Sequence, residues 1–415
     1  MEQRRHIAVI GAGIVGVATA IWLQRDGHRV TLIDREGPAA GASHGNGGVL
    51  ASAGIVPVTG PGLLAKAPRM LFDRDGPLWL KWQQLPRLLP WLIRYLGHCS
   101  EAETRRIAAA LAGVTADSLA EHQALAIGTG AGRWIVPCDF TYLYRNRAAF
   151  EADALGWSLR EEHGHKVKVL EGPALRAYDP NLGPSIGLAA AMPGHGRITD
   201  PGAYVHALVE DFLANDGQFR QAEIDDVTVE QGRLTGLLTQ GETIACDAAV
   251  VATGAWSGPL ARRLGIRAPL ESERGYHLEL WGASAMPRTT VLLAKEKFVA
   301  TPMEGRLRLA GQVEFGGLQA PASRAPFRLF RKAIREALPG ITWEREVEWL
   351  GHRPSLSDSI PVIGEVPGIA GAFLGFGHHH VGLTCGPRTG RLLAQLVAGR
   401  TPNQDLSAYA PARFA

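Results

Sequence analysis

Apolar and polar positions near the start of the chain predict a strand, a tight turn, a helix and a second strand. Residues His6–Ile10 form a short apolar run, and helix-forming residues with apolar spacing cover 14–24. Glycines at GxGxxG spacing separate the two segments within residues 11–16. Residues 28–34 form a further apolar run that ends in an acid. The pattern therefore predicts a βαβ unit of the kind that begins a parallel sheet with helices on its faces.

The uncharged run from residue 7 to residue 23 has a second interpretation. Arg4 and Arg5 precede it, and basic residues before an apolar run are also typical of a secretory or twin-arginine export signal. The run is short for a membrane span, which needs about 20 apolar residues. The spacing of Gly11, Gly13 and Gly16 favours a nucleotide-binding turn, because strand, turn and helix together account for every residue.

The glycines and the acid of this unit each have a distinct task in binding a dinucleotide. Gly11 permits the tight turn, Gly13 lets the backbone approach a pyrophosphate, and Gly16 lets the helix pack closely on the strand. The free N–H groups at the helix N-terminus attract phosphate. Asp34, eighteen residues beyond Gly16, is placed to accept hydrogen bonds from a ribose. These residues predict a dinucleotide site but do not choose between FAD and NAD.

The rest of the chain alternates between helical and strand-like patterns without an internal repeat. A second glycine-rich stretch, residues 41–48, predicts a loop that wraps a long cofactor. Asp200 and Pro201 predict a helix start, as N-cap and first residue. Further helices are predicted over 104–127, 325–338 and 386–399, strands over 142–145, 275–280, 289–293 and 307–315, and a β-meander over 219–252 that closes with the buried strand 248–252.

Composition and charge narrow the class of protein. Hydrophobic residues make up 46% of the 415 residues and charged residues 20%, so the chain is globular rather than disordered. Its length predicts about two or three domains. The formal net charge of +3 is too small to indicate a nucleic-acid partner. The four cysteines lie far apart without a CxxC pair, which argues against a disulfide framework or a zinc site and fits a reducing, cytoplasmic compartment.

Motifs near the C-terminus carry a family resemblance. Residues 349–354 read WLGHRP, residues 361–364 read PVIG, and residues 377–384 read GHHHVGLT. Together with earlier motifs, they resemble the FAD-dependent D-amino-acid oxidase superfamily. Within it, the chain is most similar to bacterial D-amino-acid dehydrogenases and to relatives that oxidise hydroxyproline, glycine and sarcosine. The earlier motifs are the loop 43–48, the stretch 57–68, VVATG at 250–254 and RGYH at 274–277.

The resemblance implies an α/β fold with a Rossmann-like FAD-binding domain and an interleaved α+β substrate domain that carries an antiparallel sheet. The FAD-binding domain is expected from residues 1–75, 190–265 and 348–415, and the substrate domain from residues 76–189 and 266–347. FAD is expected to be noncovalent, because covalent-flavin sarcosine oxidases carry a cysteine where this chain has none, near residues 351–353. The expected FAD contacts are Gly11, Gly13, Ile14, Val15, Gly16, Asp34, Arg35, Ser43, His44, Asn46, Gly47, Gly48, Ile224, Thr253, Gly254, Gly377, His378, His379, His380, Val381, Gly382, Leu383 and Thr384.

The resemblance also implies a substrate site. Arg353 matches the family arginine that grips the substrate carboxylate, and a planar guanidinium can pair both oxygens. Tyr276 and His277 lie where the family's antiparallel sheet covers the pocket, and Tyr276 is expected to contact the carboxylate or the amine; a half-buried strand aromatic is the alternative. One or two of the adjacent histidines, including His380, are expected to contact flavin or substrate. A metal site is not expected, because adjacent side chains diverge.

The implied reaction is oxidation of the Cα–N bond of a D-amino acid to an imino acid by hydride transfer to flavin N5. The imino acid then hydrolyses to a 2-oxo acid and ammonia, and the electrons pass to a quinone or another carrier, with oxygen the less favoured acceptor. Alignment and electrostatics carry most of the rate, so no residue is assigned as a general base. Two alternatives stay open: oxidation of D-hydroxyproline, D-proline, glycine or sarcosine, and a noncatalytic flavin subunit of an electron-transfer complex.

Residues 78–96 combine aromatic and leucine side chains with Lys81, Arg87 and Arg94. Such a segment can lie on a membrane surface, near a quinone acceptor. This interpretation predicts a cytoplasmic protein with a peripheral contact to the inner membrane. The favoured alternative is an amphipathic helix packed on the substrate domain or at a subunit interface.

Overall fold

In the computed structural model, which describes residues 4–63, 76 and 78–415, the chain begins with the predicted βαβ unit. Strand β1 (His6–Ile10) leads through the glycine turn into helix α1 (Ile14–Arg25), and β2 (Arg29–Asp34) follows. The two strands pair in parallel, with Ile7 opposite Val30. Residues 64–75, expected to belong to the FAD-binding domain, and part of the stretch 57–68 lie outside the described residues.

The first sheet has six strands in the order β18-β19-β12-β1-β2-β8, and all neighbouring pairs are parallel except β18–β19. Helices α1 and α12 pack together beside it. At Gly390 of α12, an added Cβ would lie 2.6 Å from the backbone nitrogen of Thr19, so the two helices touch backbone to backbone. The elements not yet given are β8 (Gln218–Gln221), β12 (Ala248–Val251), β18 (Val362–Glu365), β19 (Ala372–Phe376) and α12 (Gly382–Val397).

The meander predicted over 219–252 is only partly correct. An antiparallel three-stranded sheet occupies its middle, with strands β9 (Asp226–Glu230), β10 (Arg233–Thr239) and β11 (Glu242–Ala245). The two ends of the predicted segment, β8 and β12, belong to the parallel sheet instead. Strand β12 is buried along its whole length, and a continuous buried run of this kind is typical of a parallel sheet.

The second sheet has ten strands and is largely antiparallel. Its main order is β17-β13-β16-β15-β14-β5-β7-β3, with β4 beside β16 and β6 beside β7. Helix α11 (Ala325–Ala337) buries its apolar face against this sheet. The strands are β3 (Val49–Leu50), β4 (Leu78–Leu80), β5 (Ile135–Tyr144), β6 (Lys168–Glu171), β7 (Leu188–Ile198), β13 (Leu270–Trp281), β14 (Thr290–Leu293), β15 (Phe298–Met303), β16 (Arg306–Phe315) and β17 (Arg345–Leu356).

Two of the predicted domain boundaries fall inside strands of this second sheet. The boundary at residue 190 lies within β7 and that at residue 348 lies within β17. Backbone pairing keeps each strand with the ten-stranded sheet over its whole length, and the division into two domains stays a prediction. The sequence did not reveal this, because the alanine-rich start of β7 has no alternation of polar and apolar residues.

The remaining helices differ from the predictions at two places. The single helix predicted over 104–127 is two helices, α4 (Glu101–Thr115) and α5 (Ser118–Ala126), because Asp117 between them has a left-handed φ of 54°. Helix α12 begins four residues before its predicted start and contains Pro387. The others are α2 (Ala42–Gly45), α3 (Leu85–Gly97), α6 (Arg147–Glu151), α7 (Ala154–Glu162), α8 (Gly172–Tyr178), α9 (Pro201–Ala214) and α10 (Ser257–Arg263), with 3₁₀ turns at Trp82–Gln84, Gly130–Trp134, Gly254–Trp256, His379–Val381, Ser407–Tyr409 and Pro411–Phe414.

The segment 78–96 is not one helix. It forms strand β4, a 3₁₀ turn and then helix α3. Trp91 is buried and stacks on Tyr95 with ring centroids 4.6 Å apart, while Trp82, Leu89 and Ile93 are 54%, 47% and 63% exposed. Across the part of the chain that the structure describes, no helix is both long enough and apolar enough to cross a membrane.

Candidate active site

A cavity of about 1170 Å³ lies between the two large sheets. Its walls come from the β1–α1 turn, the loop 41–48, strands β13, β16 and β17, and the start of α12. The predicted FAD contacts that line it are Gly11, Gly13, Ile14, Val15, Asp34, Arg35, Ser43, Asn46, Gly47, Gly48, Ile224, Thr253, Gly254, His378, His379, His380, Val381, Gly382, Leu383 and Thr384. The structure thus brings most of the predicted residues together, although they are scattered along the sequence.

The glycine turn shows why side chains are excluded from its positions. Gly11 has φ +106°, and an added Cβ would lie 2.4 Å from the carbonyl oxygen of Ala252. A Cβ on Gly16 would lie 1.8 Å from the Gly11 oxygen, so Gly16 sets the close packing of α1 on the turn and does not line the cavity. Gly13 does line it and is followed by a helix start without a side-chain cap. The turn therefore presents backbone, and a positive helix end, to the cavity.

Asp34 stands at the carboxyl end of β2 and faces the same cavity. Its Oδ2 accepts the Ala12 N–H at 2.8 Å, and its Oδ1 accepts the N–H groups of Glu36 and Gly37. These bonds fix the carboxylate at the β1–α1 turn while leaving Oδ2 a further lone pair for a ligand hydroxyl. Next to it, the Arg35 guanidinium lies 4.4 Å from the centroid of the Trp256 ring, which also lines the cavity.

The loop 43–48 is held from the side of the ten-stranded sheet. Arg308 donates to the carbonyls of His44 and Asn46, and His277 Nδ1 donates to the Gly45 carbonyl at 2.9 Å. The Thr301 hydroxyl donates to the Gly47 carbonyl at 2.7 Å. Four consecutive carbonyls are thereby fixed on one side of the loop, and all residues of the loop except His44 line the cavity.

Two residues with predicted contacts lie outside the cavity lining. The cavity lining does not include His277, which is 1% exposed, bonds to the loop and stacks on Trp349 at 4.9 Å. His44 does not line the cavity either, because its ring packs against Gly202 and Trp349. His277 therefore holds the glycine loop, and the expected contacts of His277 with a substrate and of His44 with FAD stay predictions. The sequence could not show this, since alternate residues of a strand face opposite sides of the sheet and the register was unknown.

Tyr276 lines the cavity, but its hydroxyl is engaged elsewhere. It donates to Glu314 Oε2 at 2.6 Å and accepts the Ser323 N–H at 3.0 Å. Burial and the Glu314 carboxylate raise the pKa of Tyr276 to about 12, so the phenol stays protonated. The expected contact of Tyr276 with a substrate stays a prediction, made for a hydroxyl that already has these two partners. A bulge between β13 and β16, after Arg274, sets this orientation.

Arg353 is fixed with part of its guanidinium open to the cavity. Nη1 donates to the Gln312 carbonyl at 2.7 Å and Nη2 to the Gly311 carbonyl at 3.0 Å. The guanidinium lies against Gly275, where an added Cβ would be 2.4 Å from its central carbon. Burial lowers the pKa of Arg353 and the Glu273 carboxylate opposes that effect, yet the group remains a cation. The arrangement holds a positive charge with unused N–H donors at the cavity wall.

The three adjacent histidines point to different partners. His378 Nε2 lies 3.0 Å from the Thr389 hydroxyl, and burial lowers its pKa to about 4. His379 Nε2 lies 3.0 Å from Glu273 Oε1, and its Nδ1 lies 2.9 Å from His380 Nδ1. The ring of His380 is exposed in the cavity. Gly377, expected near the flavin, is outside the cavity lining and packs on Leu356.

Sequence reasoning missed three residues of this site: Glu273, Arg308 and Trp256. Glu273 and Arg308 are each 1% exposed in long strands. A charged residue inside a run that predicts a buried strand could have indicated both of them. Charges are buried only when they are paired, so such a residue predicts a buried partner. Trp256 carried no comparable signal, since its role depends on Arg35, which is far away in sequence.

Apolar side chains form one part of the cavity wall. They come from β4, from α3 and from the end of β16, and they include Leu80, Leu88, Leu92, Tyr95 and Phe315. Side chains with these apolar surfaces exclude water and favour an apolar ligand group. Within the described lining there is no cysteine.

Comparison with known proteins shows to which family this chain belongs. Residues 6–396 match the FAD dependent oxidoreductase family, DAO. The chain belongs to this family. This FAD-dependent oxidoreductase is 38% identical over 421 residues to a D-amino-acid oxidase of Bradyrhizobium diazoefficiens, with 100% of both chains covered. It is 32% identical to a D-amino acid dehydrogenase of Methylobacterium nodulans, over 97% of this chain and 98% of the relative.

A solved structure confirms the fold of the FAD-dependent oxidoreductase. The glycine oxidase of Geobacillus kaustophilus superposes with a TM-score of 0.76 at 22% identity, covering 99% of this chain and 100% of that chain. The predicted fold class, a Rossmann-like FAD-binding domain with a substrate domain, is thus confirmed, and so are FAD as cofactor and the assignment as an enzyme.

The residues present fit FAD. Two helices without side-chain N-caps, α1 and α12, begin at the cavity and direct positive ends towards it. The glycine turn allows a pyrophosphate to approach the backbone near Gly13. Residues 382–384 at the start of α12 line the cavity, where a helix N-terminus stabilises negative charge on a flavin ring.

Proposed function

We propose that this FAD-dependent oxidoreductase oxidises the Cα–N bond of D-amino acids to imino acids, which hydrolyse to 2-oxo acids and ammonia. The observation that supports this most strongly is Arg353, a cation fixed by two backbone carbonyls with donors left open to the cavity. A guanidinium held in this way suits a carboxylate, because it can donate to both oxygens. Relatives named D-amino-acid oxidase and D-amino acid dehydrogenase agree with this substrate class.

In the proposed reaction, FAD supplies the redox chemistry, and the residues of the chain bind and orient the substrate. FAD held in this cavity would supply the acceptor for the hydrogen and the electron pair that leave the substrate Cα. Arg353 holds the carboxylate and so fixes which face of the Cα atom is presented. The apolar wall around Leu88, Tyr95 and Phe315 receives the substrate side chain and excludes water. No residue acts as a general base, because alignment and electrostatics carry the rate.

The cofactor contacts are proposed from the same cavity. Asp34 binds the adenosine ribose, Gly13 approaches the pyrophosphate, and the loop residues Asn46, Gly47 and Gly48 run beside the flavin, in keeping with their place in the lining. We expect FAD to be held without a covalent bond, since the cysteine nearest to the site in sequence, Cys385, is buried in α12 and burial raises the pKa of its thiol.

Turnover of matched D- and L-amino acids with an artificial electron acceptor tests the proposal. Purified FAD-loaded protein is expected to reduce the acceptor with D-isomers that have apolar side chains and to release one ammonia per 2-oxo acid. D-Proline, cis-4-hydroxy-D-proline, glycine and sarcosine belong in the same panel, since they are the alternative substrates. Activity with L-isomers alone, or with none of these amines, would overturn the proposal.

The physiological acceptor is proposed to be a quinone or another carrier. Oxygen is the second candidate, favoured by the 38% identical relative that is named an oxidase. Hydrogen peroxide formed in step with the imino acid would identify an oxidase, and its absence under air with full activity towards a quinone would identify a dehydrogenase. A flavin subunit without its own substrate is the third candidate, but such a subunit has no need of a fixed Arg353 in the cavity.

We further propose a peripheral membrane contact through the exposed side chains of the segment 82–94. Trp82, Leu89 and Ile93 are exposed beside Arg87 and Arg94. Exposed apolar side chains flanked by cations suit an anionic lipid surface. The opposite face of α3 includes Leu88, which lines the cavity, so the contact would bring a lipid-soluble carrier close to the site. Trp91 takes no part, because it is buried and donates to the Ser355 carbonyl.

A further inference from the structure

Arg160 on α7 is a buried cation that faces the cavity. It is 6% exposed and belongs to the cavity lining. Its Nε donates to the Ala53 carbonyl at 3.2 Å, its Nη1 to the Gly156 carbonyl at 2.9 Å and its Nη2 to the Tyr142 hydroxyl at 2.8 Å. These acceptors are all uncharged, and a guanidinium has more N–H donors than they use. One N–H on each terminal nitrogen therefore remains without an acceptor among the described residues.

The Tyr142 hydroxyl leaves a further donor at the same place. A guanidinium can only donate, so the Tyr142 oxygen accepts from Arg160 and its own proton is left for another acceptor. The hydrogen bonds of the described residues give that proton no acceptor. Tyr142 lines the cavity, and the central carbon of the guanidinium lies 4.7 Å from its ring centroid and 4.8 Å from that of Trp157. The two rings hold the cation in place.

The charge of Arg160 has no counter-charge in direct contact. Asp153 also lines the cavity, but its Oδ2 accepts the Tyr144 hydroxyl at 2.9 Å, and within the described part of the chain it forms no ion pair with Arg160. Lys297, in the turn before β15, adds an exposed cation to the lining. A buried charge is costly unless it is paired. The wall at Arg160 and Tyr142 therefore suits an anionic ligand group.

Strand register places this wall apart from Arg353. In the ten-stranded sheet, Tyr142 is opposite Leu292 on β14, which is opposite Val299 on β15. Val299 is in turn opposite Ala310 on β16. Three strand spacings of about 4.8 Å therefore separate Tyr142 from Ala310, about 14 Å along the sheet. Because Arg353 donates to the carbonyls of the two residues after Ala310, the two cations line one cavity from different strands.

The phosphates of FAD are a poor match for this wall. They are expected at the β1–α1 turn, where Gly13 lies. The glycine loop beyond that turn meets the sheet at β15 and β16, because a Cβ on Gly47 would lie 2.7 Å from Val299 and 3.6 Å from Ala310. Tyr142 is on β5, two strands beyond β15 in the sheet order. The wall at Arg160 and Tyr142 therefore lies beyond this contact.

We propose that Arg160 and Tyr142 form a second carboxylate-binding subsite of the cavity, apart from Arg353. This inference rests on the proposed function, in which Arg353 binds the substrate α-carboxylate. A guanidinium with a free N–H on each terminal nitrogen pairs both oxygens of a carboxylate, and the phenol adds a further donor. The carboxylate has two sources: the side chain of an acidic D-amino acid whose α-carboxylate lies at Arg353, or the α-carboxylate of a second amino acid on its way to Arg353.

Glutarate, glutaramate and butyrate test the proposal, because none of them carries an amine on Cα that could be oxidised. Glutarate has two carboxylates, and glutaramate replaces one of them with an amide of the same shape. Calorimetric titration of FAD-loaded protein at pH 8 measures dissociation constants and stoichiometry. The wild type is expected to bind glutarate at least about tenfold more tightly than glutaramate if the side chain is the source, or two equivalents of butyrate if an entering substrate is the source.

Variants separate this subsite from Arg353. Arg160→Gln removes the charge and is expected to abolish the preference for glutarate or the second equivalent of butyrate, while one carboxylate still binds at Arg353. Tyr142→Phe keeps its ring and should weaken the same binding about threefold to tenfold. Since Tyr142→Phe leaves the buried cation in place, it also serves if Arg160→Gln does not fold. Tyr178→Phe is the matched control, because that hydroxyl bonds to Asp139 outside the cavity lining.

Three outcomes would overturn the inference. A wild type that binds one equivalent of butyrate and does not distinguish glutarate from glutaramate has no second subsite. A preference or a second equivalent that survives both variants shows that another group binds the carboxylate. Loss of FAD from either variant, at an unchanged melting temperature, shows that the anion at Arg160 is a phosphate of the cofactor. In the first two outcomes the site at Arg353 remains, whereas a wild type that binds none of the three ligands contradicts the proposed function itself.

Discussion

The carbonyl of Leu383 accepts a hydrogen bond from His122 Nε2 at 2.9 Å. Pro387 lies one turn further along α12 and has no N–H with which to bond that carbonyl. His122 replaces the missing donor, and the Tyr204 hydroxyl in turn donates to His122 Nδ1 at 2.8 Å. This bond compensates for the proline, so that α12 can start at Gly382, beside the cavity, rather than at the proline.

His122 predicts a pH dependence of stability. Burial lowers its pKa to about 4, below the ordinary 6.5, so the folded state keeps it neutral while the unfolded state binds a proton as the pH falls. Stability is therefore lost as the pH falls from about 6.5 towards about 4. Between pH 7 and pH 5 this single group removes about 2 kcal/mol from the free energy of unfolding.

Urea denaturation of the wild type and of His122→Phe at pH 7 and pH 5 checks this prediction. The variant is expected to be less stable at pH 7 by about 1 to 3 kcal/mol, because the Leu383 carbonyl and the Tyr204 hydroxyl lose their partner. Its further loss on acidification should be smaller than that of the wild type by about 2 kcal/mol. Equal losses in the two proteins would show that His122 is not held neutral.

Gly13 and Gly16 predict opposite consequences of the same substitution. Gly13→Ala places a Cβ 3.2 Å from the Ser43 hydroxyl, which tolerates a small shift, but the methyl enters the cavity wall where the pyrophosphate approaches. FAD affinity should fall at least about tenfold, with the melting temperature of the FAD-free protein within about 2 °C of wild type.

Gly16→Ala is the contrasting variant. Its Cβ would lie 1.8 Å from the Gly11 carbonyl oxygen, so α1 cannot keep its place on the turn. We expect lower solubility or a melting temperature several degrees below wild type even without FAD. Thermal unfolding and flavin content of both variants check the pair. A stable Gly16→Ala protein with full FAD content would contradict the packing role.

Arg353→Ala is predicted to weaken carboxylate substrates without releasing FAD. Loss of a charge-assisted pair of hydrogen bonds costs about 3 kcal/mol, which is about 100-fold in kcat/KM. Arg353→Lys keeps the charge but loses the planar fork, so it should recover only part of the activity. Arg345→Ala, at the exposed start of the same strand, is the control. Unchanged turnover in Arg353→Ala would show that another group binds the carboxylate.

The membrane contact predicts a change in vesicle binding. Replacing Trp82, Leu89 and Ile93 with serine should remove co-sedimentation with vesicles of anionic phospholipid, because the buried apolar area and its lipid partner are lost. Ile127→Ser is the matched control, since Ile127 is 72% exposed in a different part of the chain. Equal sedimentation of the triple variant and the control would contradict the proposed contact.

Local patterns predicted the parts of the fold that local chemistry determines. The βαβ unit at residues 6–34 was predictable, because the period of its apolar residues and its glycines are properties of neighbouring positions. The start of α12 was predicted four residues late, because Pro387 normally marks a helix boundary. The compensating donor, His122, is 261 residues away from Leu383, and no local pattern contains it.

In the site, too, the sequence predicted what local motifs determine and not what distant contacts determine. The presence of Arg353 in the cavity followed from its motif, whereas the orientation of the Tyr276 hydroxyl depended on a bulge in strand pairing. Likewise, the position of Glu273 can be interpreted only through its contact with His379. Glu273 lies in a strand of the ten-stranded sheet, and His379 follows a strand of the six-stranded sheet. Long-range register and pairing decide such contacts, and a single sequence does not encode them in a readable period.

The absorbance of the flavin band under anaerobic conditions tests the central claim most directly. FAD-loaded protein is mixed with a D-amino acid or with its L-isomer, and no acceptor is present, so only the reaction between substrate and cofactor is observed. We predict that D-isomers with apolar side chains bleach the oxidised-flavin band and that L-isomers leave it unchanged. A band that stays oxidised with every D-amino acid, or that bleaches with L-isomers alone, would contradict the account.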